Sequence, residues 1–197
     1  MIINPAQLNE LLADGVVLEQ FGSDLPKVIK LKDGEFVKFF RVKHLISKYR
    51  FINPAKHFAR NAARLAKREI PALQHVRHYR VPHNKLWAVR YRGLEGVSVR
   101  ELLLQGQLND DIVERLARFI FTLHEKGVYF RSLHFGNIIV APGGELGLID
   151  FLDCYFRPRL IEFQRNRNFA HLYRYDETRP YQEAISREYK RCQYQQQ

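Results

Sequence analysis

The chain has 197 residues, a formal charge of +11, 46% apolar and 13% aromatic side chains, and two cysteines. That apolar share builds a core and excludes disorder for the whole chain. Two cysteines make no disulfide scaffold and suit a reducing compartment, and no run approaches the ~18 apolar residues of a membrane span. The opening Met1-Ile2-Ile3-Asn4-Pro5 lacks the basic-then-apolar order of a signal peptide. The charge excess calls for an anionic partner: a phosphate-rich ligand, an acidic lipid surface or nucleic acid. It runs from Lys38 to Arg92 and again from Arg157 to Arg191, with aromatics interleaved over 41–50 and 157–174. No zinc-finger, ribonucleoprotein or Gly-x-x-Gly pattern accompanies it, which disfavours nucleic acid.

In chain order, 5–13 predict a short helix begun by Pro5 and stopped near Gly15. Strands follow over 16–21, 27–32 and 35–41, the last two joined by the hairpin signal Asp33-Gly34. Phe36, Lys38 and Phe40 share one strand face at period two. A lysine between two phenylalanines either snorkels at an edge or is held for an anion. A helix over 54–68 and strands over 75–81 and 86–91, turned at Pro82-His83-Asn84, complete an antiparallel sheet of about five strands with one inserted helix. Arg92-Gly93-Leu94-Glu95-Gly96 reads as a hinge. Helices are then predicted over 98–104 and 110–126. The longer one carries Ile112, Val113, Leu116, Phe119, Ile120 and Leu123 at three- and four-residue spacing, with Asn109 to Asp111 at its start and Gly127 at its stop. Short strands over 138–140 and 146–149 flank Pro142-Gly143-Gly144, and helices over 160–173 and 181–192 close the chain.

The chemistry concentrates in Tyr129-Phe130-Arg131-Ser132-Leu133-His134-Phe135-Gly136-Asn137 and, thirteen residues after Asn137, in Asp150 of Ile149-Asp150-Phe151. The intervening residues suffice for a tight hairpin that returns its ends to one place. An amide and a carboxylate oxygen there suit Mg²⁺ when substrate phosphates fill the other positions. His75, His78 and His83 do not make a metal site, because strand geometry sends His75 and His78 to opposite faces. Cys154 reads as a core residue, and Trp87 and Tyr91 as packing on one strand face.

The order of strand lysine, helix, hinge, long helix, polar loop, Asn and an Asp followed by Phe resembles the protein-kinase-like fold. More narrowly, the chain is similar to the bacterial lipopolysaccharide-core (Kdo and heptose) kinases and relatives labelled toluene-tolerance proteins. These often carry a loop His-x-Asp-Leu-His-Pro-Gly-Asn and a later Ile-Asp-Phe, which this loop matches at Leu133, His134, Gly136 and Asn137. The resemblance spans about residues 16–175. It implies an α+β fold of two lobes: a small antiparallel-sheet N-lobe over 1–92, a hinge at 93–96, and a truncated, mainly helical C-lobe over 97–197. That C-lobe carries a catalytic-loop-like segment at 129–137 and a metal-Asp segment at 149–153.

By the same resemblance Lys38 holds the α- and β-phosphates of ATP, residues 90–95, with Tyr91 and Arg92, line the adenine pocket, and Asn137 and Asp150 hold Mg²⁺. The acceptor would be a sugar hydroxyl of an anionic glycolipid, the lipopolysaccharide core. The protein would then be cytoplasmic, or peripheral at the inner membrane. Three positions depart from the pattern. The loop Asp five residues before the metal Asn is Ser132; Asn61 falls nearest the place of the helix Glu that pairs with the lysine; and the turn Phe21 to Pro26 has one glycine rather than three. Ser132 is no base near neutral pH. His134 is either a substitute base or a residue that packs and hydrogen-bonds in the loop. Two readings stay open: a weak phosphotransferase, or a pseudokinase that serves as scaffold or nucleotide sensor.

Overall fold

The computed structural model describes residues 1–22, 25–41, 53–82 and 86–195, which divide into two compact units. The first comprises Met1–Ala63 and Leu73–Gly93, the second Arg64–Ala72 and Leu94–Gln197. Three expectations fall wholly or partly outside the described residues: the basic run beyond Arg41, Ser23 and Asp24 of the one-glycine turn, and His83 and Asn84 of the second turn; the terminal Gln196 and Gln197 lie outside them as well.

In the first unit, helix α1 (Pro5–Asp14) starts from a reciprocal cap. Asn4 Oδ1 accepts from Gln7 N and Gln7 Oε1 accepts from Asn4 N, at 2.9 and 3.0 Å, with Pro5 in the first turn. Strands β1 (Gly15–Phe21), β2 (Leu25–Leu31), β3 (Glu35–Arg41), β4 (Gln74–Val81) and β5 (Leu86–Arg92) form one antiparallel sheet in the order β1-β2-β3-β5-β4. Asp33-Gly34 turns β2 into β3 as expected. Gly34 N donates to Leu31 O at 3.0 Å with φ at 81°, a value that suits glycine. Helix α2 (Pro54–Ala66) lies between β3 and β4 in the chain, capped by Asn53 Oδ1 on Lys56 N.

Alternation along the strands divides the sheet's side chains into two sets. Ile29, Leu31, Val37, Phe39, Leu86 and Ala88 cluster with Ile3, Leu8, Leu11 and Leu12 from the N-terminal segment and α1. On the opposite face Phe36 stacks on Tyr91 at 5.8 Å between ring centroids, and Phe58 of α2 packs against Phe40 and Tyr91. Between Gln74 and Arg77 a bulge, with His75 at φ 53°, interrupts the alternation that set His75 and His78 on opposite faces. No three His, Cys, Asp or Glu side chains gather into a metal-binding group among the described residues.

The second unit is mixed, with helices α3 (Val99–Leu104), α4 (Asp110–Glu125), α5 (Glu162–Leu172) and α6 (Gln182–Gln195) and two sets of short strands. Every apolar position picked out on α4 is buried. Beyond Lys126, Gly127 sits at φ 68°, and a Cβ there would meet Arg157 O at 1.9 Å, so the chain needs glycine to turn back at that point. Strands β6 (Val97–Ser98), β7 (Val128–Phe130) and β10 (Cys154–Phe156) were not expected; β8 (Ile138–Val140) and β9 (Leu146–Leu148) were. They pair as β6-β8-β9 and β10-β7. The fold is therefore α+β.

Candidate active site

Two nested antiparallel pairs build the loop of the second unit. The inner pair joins β8 to β9 with Ile138 opposite Leu148, and Ile149 N donates to Asn137 O at 3.0 Å. Asn137 and Asp150 therefore stand at one end of this hairpin. The outer pair joins β7 to β10, with Phe130 opposite Cys154. It carries Ser132, just past β7, to Asp153, just before β10: Ser132 Oγ donates to Asp153 Oδ2 at 2.6 Å.

Asn137 is buried at the end of a 3₁₀ turn over Phe135–Asn137, and its Nδ2 donates to Ser132 O at 3.0 Å. That use of the amide nitrogen leaves Oδ1 as the atom suited to a cation. Asp150 is exposed, in the left-handed region at φ 51° and ψ 39°, and makes no capping hydrogen bond to the turn it precedes. Phe151 beside it is fully buried and fixes the backbone there. A left-handed aspartate costs energy that the surroundings must supply, a pattern concentrated at functional sites. One amide oxygen and one carboxylate at a hairpin end are hard oxygen donors of the kind Mg²⁺ takes together with phosphate.

The loop backbone hangs on α5. Asn168 Nδ2 donates to Phe130 O at 2.6 Å and His171 Nδ1 donates to Leu133 O at 3.1 Å. His134 caps the 3₁₀ turn, its Nδ1 accepting from Gly136 N at 3.1 Å, and its ring packs 5.4 Å from that of Tyr175. With Nδ1 engaged as an acceptor, the neutral ring carries its proton on Nε2. Burial, with His171 and Arg100 nearby, holds the His134 imidazole below its usual pKa. Cys154 is buried and its thiol is pushed up by that burial, so it is a core residue as read.

Behind the loop lies a buried polar network that sequence reasoning missed. His124 of α4 accepts a hydrogen bond from the Tyr189 hydroxyl at Nδ1, 2.7 Å away, and donates from Nε2 to Asn168 Oδ1 at 3.1 Å. Arg165 donates to Tyr189 Oη at 3.0 Å and to Glu125 at 2.8 Å. Burial lowers the His124 pKa to about 4. Only one feature of the sequence points to it: His124 falls on the apolar stripe of α4. A separate groove of about 950 Å³ between α4, α5 and α6, lined by Phe121, Arg165, Phe169, Tyr173 and Tyr189, includes none of Ser132, Asn137 or Asp150.

In the first unit, Lys38 sits mid-strand in β3, opposite Val28 of β2 and Val89 of β5, on the face that carries Phe36 and Phe40. Asn61, one turn from Phe58 on α2, is fully buried. Tyr91 lies in the aromatic stack with Phe36 and Phe58, and Arg92 is exposed at the end of β5.

Residues 32–192 match the lipopolysaccharide kinase (Kdo/WaaP) family. A protein of Xylella fastidiosa (strain M12), described as 3-deoxy-D-manno-octulosonic acid kinase, is 32% identical over 94 residues. That alignment takes in 45% of this chain and 37% of the relative's length. The family match begins before β3 and ends in α6, covering the sheet lysine as well as the loop. On that extent the chain belongs to the Kdo/WaaP lipopolysaccharide kinase family, and its α+β architecture is a kinase-like one.

Proposed function

We propose that the chain binds ATP with Mg²⁺ and transfers the γ-phosphoryl group to a sugar hydroxyl of a lipopolysaccharide-core glycolipid. In this reading Lys38 holds the α- and β-phosphates, Tyr91 and Arg92 flank the adenine, and Asn137 Oδ1 and Asp150 hold the metal. Mg²⁺, when bound, would neutralise charge on the phosphates. The observation that carries the reading is the hairpin end, where the 3.0 Å bond between Ile149 N and Asn137 O returns the amide and the carboxylate to one place. Phosphoryl transfer depends chiefly on positioning and charge stabilisation. The loop is anchored accordingly, by Asn168 and His171 on its backbone and by Asn137 across its base.

The acceptor class fits the charge of +11. No helix among the described residues is long and apolar enough to cross a membrane. Exposed Ile161 and Phe163, close in sequence to exposed Arg157 and Arg159, support peripheral contact with the cytoplasmic face of an anionic inner membrane. One observation favours a second reading, a non-catalytic nucleotide sensor: the loop position for the proton acceptor holds Ser132. ADP release from Mg·ATP separates the two. The transferase reading expects release to rise when lipid A carrying 3-deoxy-D-manno-octulosonic acid is added. Unchanged release with that acceptor, alongside intact nucleotide binding, favours the sensor.

A further inference from the structure

In kinase loops an aspartate five residues before the metal-binding Asn takes the acceptor's proton. That position is Ser132 here, yet a carboxylate is present beside it, brought by a different strand. Asp153 Oδ2 accepts the Ser132 hydroxyl at 2.6 Å. The pairing of β7 with β10 fixes both backbones: Phe130 faces Cys154, so residues 132 and 153 flank one end of a two-stranded ladder. Ser132 itself is anchored, because its carbonyl accepts from Asn137 Nδ2 at 3.0 Å. The other carboxylate oxygen, Asp153 Oδ1, is buried and has no hydrogen-bond donor among the described residues. A buried oxygen without a donor costs about 1–3 kcal/mol, and such a group calls for an explanation other than packing.

We propose that Ser132 and Asp153 together replace the missing loop aspartate, as a hydroxyl–carboxylate relay. Ser132 is the residue that meets the acceptor, and Asp153 acts through it. The acceptor hydroxyl gives its proton to Ser132 Oγ as the serine proton passes to Asp153 Oδ2. The acceptor oxygen forms its bond to the γ-phosphorus. The bond from that phosphorus to the β,γ-bridging oxygen breaks, and its electron pair leaves on ADP. Asp153 then returns the proton to solvent. His134 is less suited to the task, since its Nδ1 is held by Gly136 N and its Nε2 carries the proton in the neutral ring.

The relay rests on the phosphotransferase reading, so the experiment follows nucleotide binding and turnover separately. Full-length wild type, Asp153→Asn and the exchange variant Ser132→Asp/Asp153→Ser are compared. Mg·ATP affinity is measured by calorimetry, and ADP release by turnover with lipid A carrying 3-deoxy-D-manno-octulosonic acid and with water alone. Asp153→Asn keeps an oxygen for Ser132 to donate to but takes no proton. Its kcat should fall on the order of 100-fold, with the KM for ATP and the melting temperature unchanged. The exchange variant, which returns a carboxylate to the loop, should recover most of that loss. Wild-type kcat in Asp153→Asn overturns the relay and leaves the nucleotide reading intact. Mg·ATP binding without turnover on either acceptor also overturns it. Absence of Mg·ATP binding in the wild type overturns the proposed function itself.

Discussion

The five-stranded sheet of the first unit and the nested hairpins of the second are held by different forces. The sheet has strands of seven or eight residues, with apolar side chains on both faces. Its register is set by bulk burial. The hairpins have strands of three residues each, too short to set a register by burial alone. Their loop is fixed by the buried Leu133, Phe135 and Phe151 together with discrete polar bonds from α5 and from within itself: Asn168 to Phe130 O, His171 to Leu133 O, Asn137 to Ser132 O. The polar region is also where the groups able to handle a metal and a proton are found. The proposed phosphoryl transfer needs close positioning of its groups, and directional bonds supply it.

The contrast is testable in each region. Truncation of a sheet side chain should have the largest effect on stability. Phe39 is 1% exposed within the first unit's core, and Phe39→Ala should cost about 3–5 kcal/mol in urea denaturation. A cost below about 1 kcal/mol would show that burial does not set the sheet.

The polar network should respond to acid. His124 has a folded pKa of about 4, below its ordinary 6.5, so the folded state disfavours the proton that the unfolded chain accepts. Its contribution is complete above pH 6.5 and is lost as pH falls towards 4, by about 3 kcal/mol in total. Stability measured from pH 7 to 4 should drop more steeply in the wild type than in His124→Gln. Parallel curves would remove His124 from the account.

Much of the architecture was legible because its signals are long. Period two exposed Phe36, Lys38 and Phe40 on one strand face, and the three- and four-residue spacing of α4 marked its core. Asp33-Gly34 and Pro142-Gly143-Gly144 marked turns that the structure contains. The outer pair β7 and β10 was not legible, since three residues complete barely one cycle of alternation. A signal was present nonetheless: Val128-Tyr129-Phe130 and Cys154-Tyr155-Phe156 flank the inner hairpin as matched β-favouring runs. Without that pair, Asp153 looked remote from Ser132, and the loop looked emptier of acid than it is. The His124 network escaped for another reason. Its partners lie on three helices and a strand, and no local spacing encodes such a meeting.

The central claim is that the end of the inner hairpin serves a metal-bound nucleotide, and thermal denaturation tests it most directly. The melting temperature of the wild type should rise with ATP in the presence of Mg²⁺ and rise much less with ATP and a chelator. In Asp150→Ala, the Mg²⁺-dependent part of the shift should vanish while the unliganded melting temperature stays the same or falls slightly, because alanine adopts the left-handed backbone at this position less readily than aspartate. An equal, Mg²⁺-dependent shift in Asp150→Ala, or no shift in the wild type at millimolar ATP, would contradict the account.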